Sequence, residues 1–135
     1  MVLHPSDGAD GPIRVVVVDG DRRVRLLLVE RLARADDIVV VDHTGTIARA
    51  WRMVLAWRPD VVVAEANLPD GTVGEMWHSL HQASFTGGRI ELVGLPRASS
   101  PTEERVEVDA TVLKGLGDEL EQEIRRVAAK GRLRA

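Results

Sequence analysis

The sequence predicts an α/β domain: a parallel sheet of five strands with helices packed on both faces. Five short runs rich in β-branched residues alternate with segments of helical periodicity. The clearest of these runs are apolar throughout, with no polar residue at every second position, as in strands buried on both faces. Parallel strands joined by right-handed helical crossovers have that burial, and alternation of strand and helix is the pattern that calls for them. At 135 residues the chain makes one domain, long enough to bury about two-thirds of its unfolded surface.

Met1 to Gly11, with Pro5, Ser6, Gly8 and Gly11, has no periodicity and is expected to be a disordered tail. The domain proper is expected over residues 12–130. Ile13 to Val18 is the first strand, ending abruptly at Asp19-Gly20-Asp21. Val24, Leu27, Leu28 and Leu32 then recur at helical spacing, with Arg22, Arg23, Arg25 and Arg31 between them. Ile38 to Val41 reads as a second strand and Thr46 to Trp57 as a second helix, stopped by Arg58-Pro59-Asp60. The third strand, Val61 to Ala64, is closed by Glu65 and the turn Asn67 to Gly71. Gly74 to Gln82 is the third helix, and Gly87-Gly88 breaks the chain before a strand over Ile90 to Leu95.

Ser100-Pro101-Thr102-Glu103 is a capping box with proline at the first helical position. The fourth helix that it opens is short, two turns at most. Ala110 to Leu113 is the fifth strand. Asp118 to Glu121 caps a last helix with Leu120, Ile124 and Val127 on one face, and residues 131–135 are expected to be a tail or the start of a linker.

Composition narrows the function. The chain has no cysteine, so disulfides, thiolate nucleophiles and sulfur-built zinc sites are excluded. A net charge of −3 and only three Trp and one Phe argue against nucleic-acid binding by this chain alone. No apolar run reaches the ~20 residues of a membrane span, and the first residues lack the order of a signal peptide. A cytoplasmic domain without membrane contact is expected.

In parallel α/β sheets the functional crevice lies at the carboxyl ends of the strands. Those ends carry Asp19, Gly20 and Asp21, then Glu65, then Gly94, then Lys114, an acidic cluster opposite one lysine. Three stretches in this order carry a family resemblance: Val15 to Asp19, Arg58 to Gly71, and Val112-Leu113-Lys114 before a capped helix. With them the chain resembles the response-regulator receiver domains of two-component signalling, over Ile13 to about Lys130. The resemblance implies a flavodoxin-like (βα)5 three-layer sandwich with strand order 2-1-3-4-5.

It also implies a phosphoacceptor pocket, and the sequence departs from that pocket position by position. Receivers carry two adjacent acids that bind Mg²⁺ after the first strand. Here they are Asp19 and Gly20, with Asp21 one residue further on. The acceptor aspartate falls on Glu65, with Asn67 in the loop beyond it. The switch hydroxyl falls on Gly94 and the switch aromatic on Thr111. Lys114 is kept, followed by Gly115 instead of proline.

Phosphoryl transfer to a carboxylate depends on positioning and on charge stabilisation by Mg²⁺. Gly20 removes one carboxylate, and the extra methylene of Glu65 moves its own by up to ~1.5 Å. A displacement of ~1 Å costs about a hundredfold in a positioned reaction. Glu65 is long enough to pair with Lys114 instead. Without a hydroxyl at 94 or an aromatic ring at 111, the site has no two-state element to bias. The expectation is a non-enzymatic receiver-like signalling module, independent of phosphorylation, without cofactor and acting through protein contacts. It extends to the regulatory part of a transcriptional regulator, and to a homodimer through the fourth helix, fifth strand and last helix.

Two alternatives stand beside it. One is a working Mg²⁺-dependent acceptor using Glu65 or Asp19. The other is a haloacid-dehalogenase-like phosphatase, in which Asp19 is the nucleophile and Asp21 the acid/base of an Asp-x-Asp motif. Against the phosphatase, Arg23 stands where a threonine or valine is usual.

Outside the pocket, His78 and His81 are three apart on the third helix and read as solvated positions. Trp51 reads as core, and Trp57 and Trp77 as packing at the core's edge, with interface anchors as the other reading. Arg125, Arg126, Lys130, Arg132 and Arg134 form a basic end that suits a helix C-terminus.

Overall fold

The computed structural model describes residues 11–82, 87–93, 110–113 and 118–134. The elements are β1 (Ile13–Val18), α1 (Arg22–Ala33), β2 (Ile38–Thr44), α2 (Ile47–Trp57), β3 (Val61–Glu65), β4 (Asn67–Leu68) and β5 (Gly71–Thr72). After them come α3 (Val73–Gln82), β6 (Gly88–Val93), β7 (Ala110–Leu113) and α4 (Glu119–Arg134). The long strands form one sheet in the order β2-β1-β3-β6-β7, every pair parallel. With the two-residue strands β4 and β5 set aside as a separate antiparallel pair, this is the expected order 2-1-3-4-5.

The valine runs are continuous because alternate residues fill two different cores. Val15 and Val17 of β1, with Val61 and Val63 of β3, pack against Leu28 and Leu32 of α1 and Leu120, Ile124 and Val127 of α4. Val16, Val18, Val62 and Ala64 pack on the other side against Ala50 and Val54 of α2 and Met76, Trp77 and Leu80 of α3. All eight of these strand residues are wholly buried. At ~25 cal/mol per Å² of apolar surface removed from water, these two layers are the main stabilising term.

Several boundaries differ from those expected. β2 continues three residues past Val41, to Thr44, pairing with β1 as far as Val18, and the register shift opposite Val15 and Val16 absorbs one extra residue. Leu27 is 65% exposed: the buried stripe of α1 runs through Leu28 and Leu32, with Val24 half-buried beside it, and Leu27 turns off that face. β6 starts at Gly88, two residues before Ile90, where Gly88 N–H donates to Asp60 O at 2.7 Å.

The last helix runs to Arg134, through the segment expected to be a tail. Gly131 costs about 1 kcal/mol inside a helix, but Arg132 donates to the carbonyls of Gly11 (3.0 Å) and Pro12 (3.3 Å) and lies 3.5 Å from the Asp60 carboxylate. Those contacts tie the final turn to the start of β1, and they also hold Gly11, which was expected to be part of the tail. Residues 1–10 and the capping box at Ser100 to Glu103 lie outside the described residues. No described helix is long and apolar enough to cross a membrane.

The tryptophans divide. Trp77 is buried at the centre of the α3 side and is no edge residue, whereas Trp51 is half-buried at that core's margin. Trp57 is 43% exposed. His78 is exposed and bonds Gln82 one turn on, at 3.2 Å. The His81 side chain lies outside the described part.

Candidate functional site

The carboxyl ends of β1 and β3 lie side by side, Val18 registered with Ala64, so the residues that follow them meet. Asp19 is wholly buried. Its N–H extends the β1–β2 ladder to Thr44 O (3.0 Å), and its Oδ1 accepts the N–H of Asp21 (2.9 Å). Its carbonyl accepts from the Arg25 guanidinium at 2.8 Å, and the Nε of the same arginine donates to His43 Nδ1 at 3.2 Å. One arginine thus links α1, the β1 turn and the end of β2.

Asp21 has a different task. Its Oδ1 accepts the N–H groups of Arg23 (2.9 Å) and Val24 (3.3 Å), making it the N-cap of α1. Capping satisfies two of the orphan donors at a helix start. The carboxylate is therefore committed to the helix start.

Glu65 is half-buried and reaches across the strand ends: its Oε2 accepts the N–H of Gly20 at 3.3 Å. A Cβ at position 20 would lie 3.1 Å from Cδ of Pro69 and 3.9 Å from that same Oε2. Pro69 is the turn of the β4–β5 hairpin. Leu68 anchors the hairpin in the α3-side core, and Asp70 fastens it to α2, its two oxygens accepting the N–H groups of Ile47 (2.8 Å) and Ala48 (3.1 Å). Those two backbone bonds hold the Asp70 carboxyl below the usual carboxylate range. Gly71 has φ +152°, and a Cβ there would meet Ile47 Cδ1 at 2.9 Å and the flexible end of Glu75 at 2.7 Å, so the turn needs glycine.

The structure brings Asp19, Gly20 and Glu65 together and commits the carboxylate of Asp21, whose N–H is bonded to Asp19, to the cap of α1. Asn67 begins the hairpin and Thr111 lies in β7, registered with Glu91 of β6; the side chains of both lie outside the described part. Gly94 and Lys114 lie outside the described residues altogether. Among the described residues no three acidic or histidine side chains converge on a point that suits a metal ion. The side chains at the β1–β3 mouth do not fit the Mg²⁺ site that the fold family implies: Gly20 offers no carboxylate and Asp21 caps a helix.

Sequence reasoning missed Arg25, which it read as one of the cations interleaved on α1, and Asp70, whose partners lie 22 and 23 residues earlier. The Asp21 cap was legible in principle, since Asp directly before a helical pattern is a start signal.

No family model matches the chain. A 68-residue stretch, half of the chain, is 38% identical to the DNA-binding transcriptional activator DevR/DosR of Mycobacterium tuberculosis, and that match spans 31% of the activator's length. Similar solved structures are receiver domains. The response regulator domain of Thermotoga maritima CheB superposes with a TM-score of 0.74 at 20% identity, covering 87% of this chain and 96% of that one. A LuxR-family DNA-binding response regulator from Staphylococcus aureus gives 0.76 at 21%, covering 86% and 98%. The receiver domain of NarL from M. tuberculosis gives 0.75 at 19%, covering 90% and 98%. With the strand order above, these likenesses show that the chain has the fold of the response-regulator receiver domains.

Proposed function

We propose that the chain is an atypical receiver module of two-component signalling that works through protein contacts without phosphoryl transfer. The observation that carries this reading is the pairing of Gly20 with the α1 cap at Asp21. The acid needed beside Asp19 is missing at one position and committed to the helix at the next. Mg²⁺ is held by near-octahedral oxygens, commonly with one or two carboxylates. Asp19 is wholly buried with Oδ1 bonded inside its own turn, and Glu65 Oε2 accepts the Gly20 N–H, so each carboxylate already has one oxygen engaged by the backbone. The same cap removes the acid/base role that a phosphatase of the Asp-x-Asp type would require of Asp21.

The match to DevR/DosR and the likeness to LuxR-family regulators support a place in transcriptional regulation, as the regulatory part of a DNA-binding protein. Protein partners, including a second copy through β7, α4 and the segment between β6 and β7, are part of the proposal.

The test is incubation with acetyl phosphate and Mg²⁺, followed by intact mass, together with amide spectra in beryllofluoride and Mg²⁺. The expected result is an unchanged mass and unchanged signals around Asp19, Gly20 and Glu65. Mass gain lost in Glu65→Gln, or retained there and lost in Asp19→Asn, identifies a working acceptor and overturns the proposal.

A further inference from the structure

The outward face of α2 carries features that nothing at the β1–β3 mouth uses. Every charged side chain on this helix and its C-cap is a cation: Arg49, Arg52 and Arg58, all exposed, in a chain of net charge −3. Elsewhere several exposed arginines are answered by the chain's own acids, Arg34 by Glu30, Arg125 by Asp37 and Arg126 by Glu123, while Arg22 and Arg23 at the start of α1 are exposed without one among the described residues. Arg49 and Arg52 have no such carboxylate among the described residues. Beside these cations stands Leu55, 66% exposed; Trp57, 43% exposed, lies on the opposite flank of the helix, toward Val39 of the edge strand β2, itself 44% exposed.

Trp57 is held in place. Its Nε1 donates to Asp42 Oδ2 at 3.1 Å, and the register of β2 puts Asp42 and Val39 on the same side of that strand, toward α2. An indole fixed before binding loses little rotamer entropy on contact, and Trp and Arg are the residues most enriched at binding hot spots. Ala48 and Ala56 are exposed on the same helix. Ala48, Arg52, Leu55 and Ala56 follow the three- and four-residue spacing of a helix ridge. Eleven residues give a face about 16 Å long, three turns of a partner helix.

We propose that this face, with Val39 beside it, docks an acidic amphipathic helix of a partner protein. Leucine-type side chains of that helix would cover Leu55, Ala48 and Ala56, with the Trp57 ring at the margin beside Val39, and its carboxylates would meet Arg49 and Arg52. Leu26 and Leu27 are a second exposed apolar pair, on α1, but α1 carries Glu30 among its exposed residues and no aromatic anchor. The α2 surface includes neither Asp19 nor Glu65, so its test and the phosphorylation test fail separately.

The test uses the ¹⁵N-labelled full chain and two synthetic 18-residue peptides of glutamate and leucine, one with leucines at amphipathic helical spacing and one scrambled. With the amphipathic peptide, amide shifts are expected over residues 48–57 and at Val39, with binding about tenfold or more tighter than for the scrambled one. Arg52→Glu and Leu55→Ala, both at exposed positions, are each expected to weaken binding about tenfold, and added salt to weaken it further. Shifts centred on Leu26 and Leu27, equal binding of both peptides, or indifference to both substitutions would overturn the proposal. So would self-association through α2, or stronger binding of this face to anionic phospholipid vesicles than to the peptide.

Discussion

Glu65 Oε2 accepts the backbone N–H of Gly20 at 3.3 Å. The carboxylate at the acceptor position is thus bonded to the backbone at the one place where an acid is missing. The glutamate side chain is long enough to span the two strand ends, and glycine supplies no carboxylate of its own beside it.

Gly20→Asp tests this relationship. The new Cβ would sit 3.1 Å from the Pro69 ring and 3.9 Å from Glu65 Oε2, so the ring must yield by a few tenths of an ångström and a third carboxylate joins Asp19 and Glu65. Without divalent ions the variant is expected to melt below the parent, because like charges are crowded. Mg²⁺ should restore part of the loss, about 1.4 kcal/mol at ten times its Kd, and leave the parent's Tm unchanged. A Mg²⁺-dependent Tm in the parent would contradict the reading.

Asp21 separates a cap from a ligand. Asp21→Ala is expected to cost about 1 kcal/mol of stability, and Asp21→Asn to be close to neutral, because asparagine caps as well as aspartate. Urea unfolding of the two variants measures this. A large loss in the asparagine variant would mean that the negative charge itself, and not the acceptor oxygen, is what the site requires.

The strands and the place of the mouth were legible because β1 and β3 stop abruptly: Val18 gives way to Asp19 and Ala64 to Glu65. Side-chain partners were less so. One aspartate before a helix satisfies both the capping pattern and the metal-ligand pattern, and only geometry shows that Asp21 follows the first. Arg25 was hidden as one of the four arginines of α1, since periodicity tells which face a residue occupies and not which distant carbonyl it finds. Leu27 failed for a related reason: one extra apolar residue widens the stripe without saying on which side the sheet lies. Gly131 and the polar C-terminus suggested a frayed end, and the contact that prevents it comes from Arg132 to the opposite end of the chain.

Acid should act first through two exposed carboxylates. The backbone bonds of Ile47 and Ala48 lower the Asp70 pKa, and the Arg125 bond lowers that of Asp37, each below 3.8. A carboxyl whose pKa falls on folding contributes stability above its unfolded value, and loses it as pH drops through the lower folded value. Melting curves are therefore expected to be flat above about pH 5 and to fall below pH 4. Asp70→Asn should lower Tm at neutral pH and make the acid slope shallower, and the slope that remains should diminish again in Asp37→Asn. An acid slope unchanged in Asp70→Asn would show that the hairpin latch carries no charge-dependent stability.

Gly88 sets how closely α4 approaches the sheet. A Cβ there would overlap Cγ1 of Val127 and lie 3.3 Å from the Val127 carbonyl. Val127 is wholly buried among the residues that α4 packs on β6, so neither partner can yield freely. Gly88→Ala is expected to cost about 1–3 kcal/mol by overpacking, and Val127→Ala about 1.5–3 kcal/mol by lost burial. The double variant should be less destabilised than the sum of the two, with a coupling of about 0.5–3 kcal/mol, because the alanine at 127 vacates the volume that the new methyl group needs. Strict additivity in urea unfolding would mean that α4 shifts as a body to admit the methyl group. In that case the Arg132 contacts to Gly11 and Pro12, at the far end of the same helix, should loosen, and the amide exchange of the last turn should rise with them.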